Sequence, residues 1–173
     1  MKSRFLKSLK VLLVEDEEKL SALLKNAIGD SFHSFITAYD GKEGLEKFIE
    51  YSPDIVITDI MMPKVTGLEM AKEIKKLNSK IPIIILSAYS ETDKLLNAID
   101  IGIIKYFIKP FDPDEVLEYI QSLKETMVEK SILLCDNFSY NITNNTLYKN
   151  NRYFSISKSE KLFCTTNVFR TKR

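Results

Sequence analysis

The sequence predicts an α/β domain built on a parallel sheet, with a short antiparallel β meander after it. Three observations lead there. Up to about residue 128, short apolar runs alternate with segments of helical period, five times over. Four of the five runs are rich in Val, Ile and Leu with little polar alternation, as strands covered on both faces require. After Lys130 the helical period stops, and brief strand-like runs are separated by turns containing paired asparagines.

Taken in order, the expected strands are Val11–Val14, Phe32–Ala38, Asp54–Thr58, Ile81–Leu86 and Ile104–Ile108. Between and after them the helical period marks Glu17–Ile28, Lys42–Glu50, Leu68–Leu77, Thr92–Ile101 and Pro113–Val128. A strict β-α alternation implies right-handed crossovers and helices on both faces of the sheet. In the later part, Phe138–Thr143, Thr146–Lys149 and Arg152–Ile156 read as strands of a meander, with Ile132–Cys135 as a further one. Asparagine tolerates the positive φ of tight hairpins, which suits it to the turns between them. The junction at residues 128–131 divides the chain into a domain at 1–128 and a second segment at 129–173. Ser157 and Glu160 have the spacing of a capping box, so a helix is expected to open there; the apolar period stops at Phe163.

Composition narrows the classes. Apolar residues make up 45% and charged residues 28%, as in ordinary globular proteins. Through Lys124 there are 17 basic and 20 acidic residues, a balance of −3; from Glu125 there are 8 and 4, a balance of +4. A nucleic-acid surface is therefore not expected on the first domain. Cys135 and Cys164 form neither a CxxC pair nor a metal spacing and read as reduced thiols. The triplets at Asn137, Asn141 and Asn144 read as chance, not as glycosylation sites. The opening "MKSRFLKSLKVLLVEDEE" has too short an apolar run for a signal peptide, and no stretch is long enough to span a membrane. A cytoplasmic protein with no membrane partner is expected.

In an open α/β sheet, ligands bind outside the carboxyl ends of the strands. Here those ends carry Glu15 and Asp16, then Asp59, Ser87 and Lys109, an acid pair, an acid, a hydroxyl and a lysine on one edge. Carboxylates from neighbouring strands repel and sit together stably only around a cation. Hard oxygen donors without a Cys or His cluster suit Mg²⁺ or Mn²⁺. A divalent ion and an ammonium beside a carboxylate would stabilise the oxygens of a phosphoryl group, and that carboxylate could itself attack phosphorus. Each residue also has a plainer reading. Asp16 and Ser87 could cap helices and Lys109 could be a solvated charge; the convergence at one edge favours phosphoryl transfer onto an Asp. A haloacid-dehalogenase type of phosphatase is not favoured, because Asp59 is followed by Ile60 and Met61 where that chemistry needs a second acid. Nor does "VEDEEKL" offer the glycine-rich loop of a nucleotide site.

These segments resemble the receiver domain of bacterial two-component response regulators over about residues 8–126. "VLLVEDEEKL" is similar to the family's acidic-pair segment, "DIVITDIMMPKVTG" to its phospho-acceptor segment, "PIIILSAYS" to its hydroxyl segment and "YFIKPF" to its lysine-proline segment. The resemblance implies a flavodoxin-like sheet of order 2-1-3-4-5, often with a cis bond at Lys109–Pro110. It implies that Glu15 and Asp16 bind Mg²⁺ (or Mn²⁺) with Asp59 and the Met61 carbonyl, and that Asp59 accepts the phosphoryl group. Ser87 and Tyr106 become a switch pair, Lys109 the essential lysine, and a sensor histidine kinase the donor. His33, the single histidine, is expected to be a packing or surface residue.

The resemblance also implies a homodimer through the face formed by the fourth helix, fifth strand and fifth helix. Acids that commonly pair across that dimer are here Ile104 and Lys105, and a usual arginine is Tyr119. An apolar version of the face and a monomer both stay open. Residues 132–163 resemble the start of an OmpR-type winged-helix effector. Residues after Phe163 do not continue that pattern toward a recognition helix, so DNA binding is not expected of them, and the basic Arg170, Lys172 and Arg173 read as a solvated end. A working transcription factor and a receiver without DNA output are the alternatives.

Overall fold

The computed structural model describes residues 4–88 and 98–128, and the backbone of four strands between residues 131 and 154. Strands β1 Lys10–Val14, β2 Ser34–Ala38, β3 Ile55–Asp59, β4 Ile83–Ala88 and β5 Lys105–Lys109 pair in parallel in the order β2-β1-β3-β4-β5. The connection from β1 runs to one side, to β2, and the next returns past β1 to β3. The order therefore reverses between β1 and β3, and a crevice opens at their carboxyl ends. In that pair Val14 lies opposite Thr58, which brings the residues just beyond them side by side.

Period-two alternation divides the core between the two faces. Val11, Leu13, Ile55, Ile57, Ile84, Leu86 and Phe107 point one way, against Leu24 and Ile28 of α1 (Glu18–Ile28) and Val116 and Ile120 of α5 (Pro113–Ser122). Leu12, Val14, Val56 and Ile83 point the other way, against Phe48 of α2 (Gly41–Tyr51) and Met70, Ala71 and Ile74 of α3 (Gly67–Leu77). Of the fourth helix, α4, residues 98–101 are described; Ala98 packs with Ile60 and Ile85. The rest of the expected Thr92–Ile101 helix lies outside the described residues.

Helix starts are set by side chains that satisfy orphaned backbone N–H groups. Asp40 accepts from Glu43 N at 2.9 Å at the start of α2. At the start of α3, Thr66 and Glu69 form a full capping box, Thr66 Oγ1 accepting from Glu69 N and Glu69 Oε2 from Thr66 N. Asp112 caps α5, with Pro113 in the first turn, where a missing N–H costs nothing.

Two expectations are corrected. β4 begins at Ile83 because Pro82 has no N–H for the ladder, although its carbonyl still accepts from Val56 N at 3.1 Å. The expected single helix Pro113–Val128 is two pieces, α5 and α6 (Lys124–Val128). Leu123 N–H reaches Ile120 O at 3.2 Å, an overwound turn, and Met127 beyond it is buried in the cluster under β1. Other boundaries fall within about two residues of the expected ones. Farther on, β6 Ser131–Cys135, β7 Phe138–Asn141, β8 Thr146–Lys149 and β9 Arg152–Phe154 pair antiparallel in chain order. Ser157, Glu160, Cys164, Arg170, Lys172 and Arg173 lie outside the described residues.

The packing gives a direct contrast. Ile57 is 1% exposed between β1 and β4, whereas Leu77 at the end of α3 is 60% exposed. Ile57→Ala is expected to cost about 3 kcal/mol in urea unfolding, and Leu77→Ala no more than about 0.5 kcal/mol.

Candidate functional site

The crevice at the carboxyl ends of β1 and β3 collects the acids. Glu15, the residue after β1, is held by its own N–H, which donates to Ala38 O at 3.0 Å, and its side chain is buried. Asp16 follows at the surface, and Asp59 closes β3. One carboxylate oxygen from each of Glu15, Asp16 and Asp59 lies within 4.8 Å of the others. From β5, Lys109 Nζ donates to Glu15 Oε2 at 2.9 Å and to Asp59 Oδ2 at 2.5 Å. Asp59 Oδ1 accepts from the Met61 N–H at 3.2 Å, and Glu15 Oε1 from Glu17 N at 3.3 Å. The Lys109–Pro110 bond is cis.

Burial pushes the Glu15 carboxyl above its ordinary range and the neighbouring Asp59 charge adds to that; the hydrogen bond from Lys109 only partly offsets them. For Lys109, burial works against the ammonium, but hydrogen bonds to Asp59 and Glu15 outweigh it and its pKa is raised. The three acids offer only hard oxygen donors, with no Cys or His among them, which is the donor set a Mg²⁺ or Mn²⁺ ion takes. The half-buried ammonium on two of the same carboxylates lies where anionic oxygens of an incoming group would be met.

The plainer readings of these residues can now be checked. Glu17, not Asp16, stands at the start of α1, and no side chain caps that helix. Lys109 is no solvated charge. Ser87 is 2% exposed and its Oγ donates to Ala88 O at 3.1 Å. In the β4–β5 ladder Ser87 lies opposite Ile108 and Ile85 opposite Tyr106, so Ser87 and Tyr106 share one side of the sheet, two residues apart in register. Tyr106 is 42% exposed. His33 donates its backbone N–H to Leu9 O and lies away from the acids, at the start of β2.

Two glycines and a lysine of the site's frame escaped the sequence reading. A Cβ on Gly67 would lie 1.8 Å from Asp59 O, so only glycine lets α3 start this close to the end of β3. Gly41 meets Val65 and Lys64 pairs with Asp40 in the same region. The T-x-x-E spacing of Thr66 and Glu69 was the available signal for the first of these contacts.

Residues 11–121 match the family model described as response regulator receiver domain. The chain is 35% identical over 123 residues to the response regulator ArlR of Staphylococcus aureus, covering 71% of this chain and 56% of ArlR. It thus spans about half the length of the curated relatives it matches. Among solved structures, the N-terminal domain of an uncharacterized protein from Wolinella succinogenes superposes with a TM-score of 0.66 at 36% identity, over 70% of this chain and 98% of that one. A response regulator receiver domain from Clostridium thermocellum gives 0.64 at 30% identity, over 68% and 95%.

The raised Glu15 carboxyl has a pH consequence. Just above the ordinary glutamate range, the folded chain still binds a proton that the unfolded chain has released. Stability contributed by this group therefore falls as pH rises through that window. In metal-free buffer from about pH 4 to pH 7, wild type is expected to lose urea stability relative to Glu15→Gln. Parallel profiles would show that burial does not disfavour the Glu15 charge.

Proposed function

The chain belongs to the response regulator receiver family, and on that footing we propose that Asp59 accepts a phosphoryl group from a sensor histidine kinase. The observation that carries the reading is the Lys109 ammonium set on both Glu15 and Asp59 at the point where the strand order reverses. In the proposed step an Asp59 carboxylate oxygen attacks phosphorus in line. The phosphorus–nitrogen bond of the phosphohistidine donor breaks, its electron pair stays on the imidazole, and an acyl phosphate forms. Lys109 and the Ser87 hydroxyl would hold oxygens of the transferring group. Glu15, Asp16, Asp59 and the Met61 carbonyl would hold Mg²⁺ (or Mn²⁺), which supplies charge neutralisation. The reactions proposed for the chain are its own phosphorylation and dephosphorylation.

The output is conformational. A Ser87 hydroxyl drawn from Ala88 O toward a phosphoryl oxygen would vacate space on the side of the sheet it shares with Tyr106. The half-exposed ring could then move inward, and the face of α4, β5 and α5 would change shape. On that face Tyr119 Oη donates to Ile104 O at 3.1 Å and Lys105 Nζ lies 5.4 and 5.5 Å from the Phe107 and Tyr119 ring centroids. These residues are engaged within the chain, which favours an apolar homodimer face or a monomer over an ion-paired dimer. Residues 1–128 are proposed as the receiver and 129–173 as the start of a winged-helix effector; in the full-length family such a switch controls transcription, and a cytoplasmic site of action is proposed. A receiver without DNA output is the second reading, favoured because residues after Phe163 do not continue the winged-helix pattern toward a recognition helix. Among the described residues no helix is long and apolar enough to cross a membrane.

Acetyl phosphate and Mg²⁺ test the site. Wild type is expected to take a hydroxylamine-sensitive label that Asp59→Asn abolishes; undiminished labelling of the variant would refute the acceptor. Lys109→Ala should label about tenfold or more slowly, or label without the accompanying change at Tyr106. For output, a gel shift with phosphorylated protein decides: sequence-specific retention of promoter DNA supports a transcription factor, and its absence a receiver without DNA output.

A further inference from the structure

The start of α2 meets the loop that joins β3 to α3, and no role assigned so far uses that meeting. Lys64 in the loop has φ 67, the left-handed region that a non-glycine residue keeps only when its surroundings hold it there. Its side chain meets Asp40. Asp40 Oδ2 accepts from Lys64 Nζ at 2.5 Å while Oδ1 caps α2, so both carboxylate oxygens are committed. The hydrogen bond from Lys64, with that from the Glu43 N–H, lowers the Asp40 carboxyl below its usual range. Next to it, Gly41 is buried, and a Cβ there would lie 2.5 Å from Val65 O and 2.9 Å from Val65 Cγ1. At the far end of the loop, Gly67 N–H donates to Ile60 O at 2.9 Å. Residues 60–67 are thus pinned at one end on β3 and braced near the other by α2. Between the pins sits Met61, whose N–H donates to Asp59 Oδ1.

We propose that Asp40 and Gly41 are positioning residues for the phosphorylation site, holding Lys64 and Val65 so that the Met61 peptide stays in register with Asp59. The proposal rests on the reading of Asp59 as phospho-acceptor and of the Met61 carbonyl as an ion ligand. Neither Asp40 nor Gly41 touches the acids; they act through the loop. The exposed Asp40–Lys64 pair alone contributes little. The close approach at Gly41 contributes more. A Cβ there would push Val65 O away by several tenths of an ångström, and Mg²⁺ tolerates little departure from octahedral geometry.

The test uses the full chain with three readouts: the Mg²⁺ dissociation constant by calorimetry without phosphodonor, the labelling rate with acetyl phosphate, and the thermal midpoint. Gly41→Ala is expected to weaken Mg²⁺ binding by about tenfold and to slow labelling. Asp40→Asn, which keeps the helix cap but removes the charge, should weaken binding by about threefold, with Lys64→Arg at the wild-type value. A lower thermal midpoint with unchanged Mg²⁺ affinity in both Gly41→Ala and Asp40→Asn would reduce these residues to scaffold and overturn the proposal. If Gly41→Ala does not fold, the comparison of Asp40→Asn with Lys64→Arg decides alone. A wild type that neither binds Mg²⁺ nor takes the label would sink the functional reading and this proposal with it. A wild type that does both, beside variants that match it, sinks only the proposal.

Discussion

Two carboxylates sharing one ammonium is the constraint on which the arrangement of this protein turns. Glu15 is fully buried, and a buried carboxylate is tolerated only with a partner. The partner, Lys109, is 94 residues away in sequence from Glu15 and 50 from Asp59. Nothing local brings them together; the strand order does. β1 and β3 are neighbours, while β4 lies between β3 and the strand that carries the lysine. The long, flexible lysine stem bridges that gap and sets its ammonium on both carboxylates. Remove the parallel order and the acids would have neither each other nor their counter-charge.

Most of this was legible in the sequence, because in a β-α alternation the residue after each strand lands on the same edge whatever the details of packing. Glu15, Asp16, Asp59, Ser87 and Lys109 could therefore be listed from the ends of apolar runs. Strand and helix limits followed from period, and cis Lys109–Pro110 matched what the family resemblance implied. What stayed hidden depends on distances between segments. Gly41 and Gly67 look like ordinary turn residues in one dimension, and only the approach of Val65 and Asp59 explains why they carry no side chain. The break at Leu123 was hidden for another reason. Neither Gly nor Pro marks it, and it coincides with Met127 turning into the core.

Lys105 and Tyr119 show the opposite case, residues legible as departures from the family's usual pattern whose use emerges only in three dimensions. The ammonium lies over two rings and the phenol donates to the carbonyl of Ile104, the residue before β5. A cation resting on aromatic faces is attracted to their negative centres, so Lys105 finds within its own chain an interaction that a carboxylate would otherwise supply. Burial also pushes the Tyr119 phenol up.

The sheet is mechanically lopsided. β1 and β3 are buried at every position, while β5, on the edge, has one buried residue of five. Inner strands of this kind open only with the whole fold, whereas edge elements can yield at a small fraction of that free energy. Asp59 therefore stands on the stiff side, where an acyl phosphate, if formed there as proposed, would have little freedom to relax the backbone beneath it. On the proposed reading, the load it creates would pass across β4, through Ser87, to the compliant margin that holds Tyr106. The proposed chemistry would thus be anchored in the part of the molecule that cannot give, and the signal would leave by the part that can.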